Sequence, residues 1–146
     1  MQPTRVVLVE AQPLFRVGVR GVLVESGKYH VVAETGCSSE ATTLGQSEAV
    51  DLMLIGMQGA DLGGLQIAER LSQRHPKPLI VFLAPKPDED GRDTATGAAA
   101  VLRRDISSET LIRVLDQLVA DERRLRHADA ARSPLLDEPL ARCGCG

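Results

Sequence analysis

The chain has 146 residues, 43% of them hydrophobic and 25% charged, which fits one globular domain with or without a tail and excludes a disordered chain. Its 17 Lys and Arg against 20 Asp and Glu give a net charge of −3, the wrong sign for a chain-wide nucleic-acid footprint. With two Phe, one Tyr and no Trp, a stacking platform for single strands or sugars is excluded as well. No apolar run approaches the roughly 18 residues of a membrane helix. The opening residues lack signal-peptide architecture, and Cys37, Cys143 and Cys145 make no disulfide framework. A reduced, cytoplasmic protein is the expectation.

In chain order, residues 5–9 (RVVLV) form an apolar run without polar alternation, the mark of a strand buried on both faces. A helix follows over about 13–26. A second strand covers 31–34, and a helix over 39–46 opens after the cap-like Ser38 and Ser39. Strands at 51–56 and 79–84 flank a helix over 65–74, which stops before His75-Pro76. Residues 85–99 contain prolines and glycines but no large apolar side chain. A helix there has little to bury, so a short or frayed one is predicted, least stable of the whole domain. A fifth strand at 98–102 precedes a helix over 108–126, with Ser107 as N-cap. The pattern stops at about His127, so 1–126 reads as one domain and 127–146 as a flexible tail.

Five strands alternating with helices predict a parallel sheet covered on both faces by right-handed crossovers. The rhythm matches the flavodoxin-like three-layer α/β sandwich with strand order 2-1-3-4-5. Ligands of such sheets bind outside the carboxyl ends of the strands. Those ends carry Glu10 and Ala11, Gly56 and Met57, Leu83 and Ala84, and Arg103 and Arg104. A hard metal wants oxygen ligands, and Glu10 alone offers them at the rim; Asp61 reaches it only by a favourable loop path. No Ser or Cys nucleophile sits beside a His, and no Gly-rich phosphate loop is present. His30, His75 and His127 fall at element edges, where surface or structural roles are expected. No catalytic residue, metal or cofactor is therefore expected, and the chain is not read as an enzyme.

The residues resemble a known family. Gln12-Pro13-Leu14-Phe15-Arg16 with Gly18, then Asp51, Gly64 and Leu65, then Gly97, Ala98, Asp105, Ser107, Glu109 and Leu111 match the receiver domain of bacterial two-component response regulators. The resemblance covers about residues 4–124 and points to the subgroup usually followed by a helix-turn-helix effector. It implies that the family's acidic pair is Glu10-Ala11 here, its phosphoacceptor Asp is Gly56, its Thr or Ser is Leu83, and its Lys is Arg104. A glycine has no nucleophile, and Arg is not a geometric replacement for Lys. The expectation is a pseudo-receiver that signals by protein association. The alternative is a metabolite-binding module of a transcriptional regulator without its DNA-binding domain, using a pocket lined by Glu10, Leu83 and Arg104.

The first helix offers a surface. At about 100° per residue, Leu14, Phe15, Gly18, Val19 and Val22 cluster as the expected core face. Val17 and Val24 fall opposite, with Arg20 nearer the rim, where the amphipathic pattern asks for polar residues. The last helix carries a wide apolar arc that includes Leu115, Leu118 and Val119. These six residues are the candidate interface, for a protein partner or a homodimer through the first and last helices. Direct nucleic-acid or membrane binding by this chain is not expected. Arg123, Arg124 and Arg126 suit the C-terminal end of a helix, and Cys143 with Cys145 supplies too few ligands for a metal site.

Overall fold

The structure, a computed structural model, describes residues 2–47, 49–57, 62–73, 77–85 and 98–145. The apolar runs form five strands, β1 (Thr4–Val9), β2 (Tyr29–Thr35), β3 (Leu52–Gly56), β4 (Leu79–Ala84) and β5 (Ala100–Arg103). They make one parallel sheet in the order β2-β1-β3-β4-β5, as expected. The central strands β1, β3 and β4 are almost wholly buried, which is why their sequences lack alternation. The edge pairing of β1 with β2 carries a bulge: Val6 pairs with Val31 and Val7 with Ala33, so one residue of β2 is extra.

Four helices complete the described elements: α1 (Pro13–Ser26), α2 (Ser38–Ser47), α3 (Leu62–Leu71) and α4 (Ser108–Cys145). Val7, Val9, Met53, Ile55, Ile80 and Phe82 pack with Ala41, Ile67, Ala68 and Leu71 of α2 and α3 in one core layer. The alternate strand residues Val6, Leu8, Leu52, Leu54, Val81 and Leu83 are buried too, as are Val19 and Leu23 of α1. Pro13 starts α1 where a missing N–H costs nothing. Gly27, at φ 75°, ends it in the left-handed conformation and donates its N–H to the Val24 carbonyl. Ser107 caps α4 as expected, its Oγ accepting the Thr110 N–H at 3.2 Å.

The core face of α1 differs from expectation. Its buried centre is Val19 and Leu23, whereas Leu14 is 88% exposed and Gly18 is exposed. Leu14 lies in the first turn of the helix, one residue after Pro13. Residues 127–145, expected as a flexible tail, lie within the span of α4. The short helix expected between β4 and β5 falls largely on residues 86–97, outside the described residues, as do Asp61 and His75. Residues 1–112 form one compact unit and residues 113–146 a second.

Candidate functional site

The carboxyl ends of β1, β3 and β5 bring Glu10, Gly56 and Arg104 together. Glu10 follows β1 and is 1% exposed. A lone buried carboxylate is costly, so its oxygens need partners. Oε1 accepts from Arg104 Nη1 at 2.9 Å, and Oε2 accepts the Gln12 N–H at 2.8 Å. The second bond sets a negative charge at the entrance to α1, where the helix dipole favours it. Arg104 follows β5, and its N–H continues the ladder to the Ala84 carbonyl. Its guanidinium also donates to the Met57 carbonyl at 3.3 Å and to Gln12 Oε1 at 2.9 Å. Its central carbon lies 4.1 Å from the centre of the Phe15 ring, a cation–π contact. One side chain thus ties the ends of β1, β3 and β5 to the first turn of α1.

Gly56 sits directly under this pair. A Cβ at residue 56 would overlap Glu10 Oε1. It would also lie 2.8 Å from both the Glu10 carboxyl carbon and Arg104 Nη1. The Glu10 carboxylate therefore occupies the space a side chain at 56 would use. Ala11 is exposed beside it. Leu83 is buried, and its side chain faces a different space, an apolar groove of about 270 Å³ shared with Phe15, Gly18, Val22, Ile106 and Leu111. Of the five positions singled out from sequence, Glu10, Gly56 and Arg104 form one cluster, Ala11 borders it, and Leu83 belongs to the groove. Gln12 and Phe15 complete the cluster and were missed as site residues. Both stand in the matched stretch after β1, the only signal the sequence offers for them.

The surrounding charges are also paired. Arg16 Nη1 donates to the Glu10 carbonyl at 3.0 Å, and Arg16 and Arg20 both reach Glu34, at 3.3 and 2.8 Å. Arg103 grips Asp105 through two bonds of 2.9 Å, which hold the Asp105 carboxyl below its usual range. Cys37, just before α2, is exposed; the Ser39 hydroxyl, then the Glu40 and Ser39 backbone, lower its thiol pKa. Among the described residues no group of three or more His, Cys, Asp or Glu is placed to hold a metal ion. No helix among them is long and apolar enough to cross a membrane.

Of the candidate interface residues, Val17 and Val24 are 51% and 59% exposed. Arg20 is half-buried on its Glu34 pair. Leu115 and Val119 are buried and Leu118 is half-buried. Two of the three arc residues named on the last helix are thus buried; period alone does not tell a buried face from a presented one.

Comparison with known proteins agrees with this architecture. The description "Response regulator receiver domain" matches residues 6–116. The chain is 26% identical over 129 residues to the nitrate/nitrite response regulator protein NarL of Escherichia coli K12, covering 87% of this chain and 60% of that protein. It is 27% identical over 124 residues to the transcriptional regulatory protein PdtaR of Mycobacterium tuberculosis, covering 84% and 60%. The chain thus spans about three fifths of the length of these relatives. Among solved structures, the signal receiver domain of a NarL from Mycobacterium tuberculosis superposes with a TM-score of 0.72 at 26% identity, covering 82% of this chain and 98% of that one. The response regulatory domain of mrkE from Klebsiella pneumoniae shares the fold, with a TM-score of 0.73 at 18% identity over 83% and 99% of the two chains. With a family match over three quarters of its length and the expected strand order, the chain belongs to the response regulator receiver domain family.

Proposed function

We propose that this receiver domain regulates through protein association, with itself or a partner, and takes no phosphoryl group. The observation that carries the reading is the Glu10 carboxylate lying in the side-chain space of Gly56 and paired to Arg104. A phosphoryl acceptor needs a nucleophilic oxygen at the rim and room for an in-line donor with its metal. Gly56 supplies no oxygen, and Glu10, the one carboxylate in that space among the described residues, is buried and neutralised by Arg104. With Ala11 in place of a second acid, the described residues offer a divalent cation no second carboxylate there. Such a domain works as a surface rather than as a switch driven by phosphate.

Incubation with acetyl phosphate and magnesium, followed by intact mass, tests this. No added phosphate is expected. An acid-labile phosphate mapped to Glu10 or Asp61 overturns it.

A second reading, a ligand-gated module, draws on the groove beside Leu83. Its lining is apolar and the nearby Arg104 is already neutralised, so such a ligand would be an apolar organic molecule rather than an anion.

A further inference from the structure

The exposed side of α1 carries an ordered seam. Leu14, Val17, Gly21 and Val24 follow the 3-4-3 spacing of alternating a and d positions of a heptad. Leu14 is 88% exposed, and Val17 and Val24 are more than half exposed. A Cβ at Gly21 would meet nothing within 4 Å, so the middle of the seam is open to close approach. The seam lies opposite Val19 and Leu23, the residues that hold α1 on the sheet.

Its flanks carry opposite charges. In the same heptad Arg20 is a g residue and Glu25 the e residue five places on, on the other side of the seam. Glu25 is exposed and makes no ion pair among the described residues. Arg20 shares Glu34 with Arg16, so that acid already has a second cation. In a parallel pair of helices a g residue meets the e residue of the next heptad on the other helix. Two copies of α1 side by side in parallel therefore place Arg20 of each against Glu25 of the other, twice by symmetry. An antiparallel pair instead sets the two Arg20 flanks against each other.

We propose that a second copy of this chain docks on α1 in parallel, with Leu14, Val17, Gly21 and Val24 as the seam and Arg20–Glu25 pairs on both flanks. The inference rests on the association reading above and names its partner. Three large apolar side chains per copy make a small interface, so the pairing belongs to the weak, concentration-dependent class.

Sedimentation equilibrium across micromolar to millimolar concentrations tests the pairing. The wild-type chain is expected to pass from monomer to dimer. Glu25→Arg turns both flank attractions into repulsions and is expected to weaken the dimer by roughly tenfold or more. Gly21→Leu places a large apolar side chain in the open seam, at a position where a Cβ meets nothing within 4 Å, and is expected to tighten it. In a chain whose native cysteines are serine, Gly21→Cys is expected to cross-link readily, because parallel packing sets residue 21 opposite itself. A monomer at every concentration, in both the wild type and Gly21→Leu, overturns the proposal. So does a dimer that Glu25→Arg leaves unchanged, or one that Gly21→Cys fails to cross-link. Phosphate uptake would overturn the proposed function and leave these sedimentation results as they stand, so the two failures are distinguishable.

Discussion

Glu10 and Gly56, 46 positions apart in sequence, share one side chain's worth of space: the carboxylate of the first fills the place where the side chain of the second would begin. The pairing is completed by Arg104, 94 residues from Glu10, which neutralises that carboxylate at 2.9 Å. The cluster is thus self-contained, with its anion supplied from β1 and its cation from β5.

Gly56→Ala should destabilise the domain although it adds one methyl group. The new Cβ overlaps Glu10 Oε1 and crowds Arg104, both held by several bonds. A loss of ~1–3 kcal/mol is expected, as for other overpacked sites. Gly18→Ala is the control. Its Cβ meets nothing within 4 Å, and replacing a helical glycine there should stabilise by ~0.5–1 kcal/mol. Urea unfolding of the two variants reads both signs.

Removing Glu10 should cost more than removing an ordinary ion pair. Glu10→Ala leaves the Arg104 side chain, 14% exposed, without its counter-charge, and also strips the Gln12 N–H of its acceptor. A loss of ~2–4 kcal/mol is expected. The double change Glu10→Ala with Gly56→Asp returns a carboxylate to the same space from the neighbouring strand β3. It should be more stable than the sum of the single changes by at least ~1 kcal/mol in a double-mutant cycle. Strict additivity would show that the shared space does not couple the two positions.

Gly56→Asp alone should not create a magnesium site. The incoming side chain collides with the Glu10–Arg104 pair, and Ala11 still offers no oxygen. Magnesium binding by calorimetry should appear only when Ala11→Asp is added, because the ion needs more than one carboxylate. Tight binding by the single variant would contradict this.

Cys37 should alkylate faster than a free thiol at neutral pH. The Ser39 hydroxyl, 3.1 Å from its sulfur, and the backbone of Glu40 and Ser39 stabilise the thiolate and lower the pKa. A lowered pKa means a larger thiolate fraction at a given pH, hence faster reaction. Ser39→Ala removes the largest contribution and should slow iodoacetamide labelling a few-fold at pH 7. The difference should vanish above the pKa of the ordinary thiol. Rates on chains with Cys143 and Cys145 replaced by serine isolate the effect.

Much of the fold was legible because it is written in local periodicity. Unbroken apolar runs such as residues 52–56 mark strands buried on both faces, and their alternation with helices dictates a parallel sheet. Pro13, Ser107 and Gly27 punctuate α1 and α4 through backbone chemistry that needs no tertiary information. The rim residues Glu10, Gly56 and Arg104 were legible too, since the ends of parallel strands converge on one edge. What the sequence left open is contact. The phase of α1 was misplaced onto Leu14 because helical period states which residues share a face, not which face meets the sheet; the burial of Val19 and Leu23 shows that face. The burial of Leu115 and Val119 was hidden for the same reason. The use of Gly56 is tertiary as well. Sequence shows a missing side chain there, and only packing shows that Glu10 fills its space, because two residues 46 positions apart meet through the pairing of β1 with β3 and not through any local pattern.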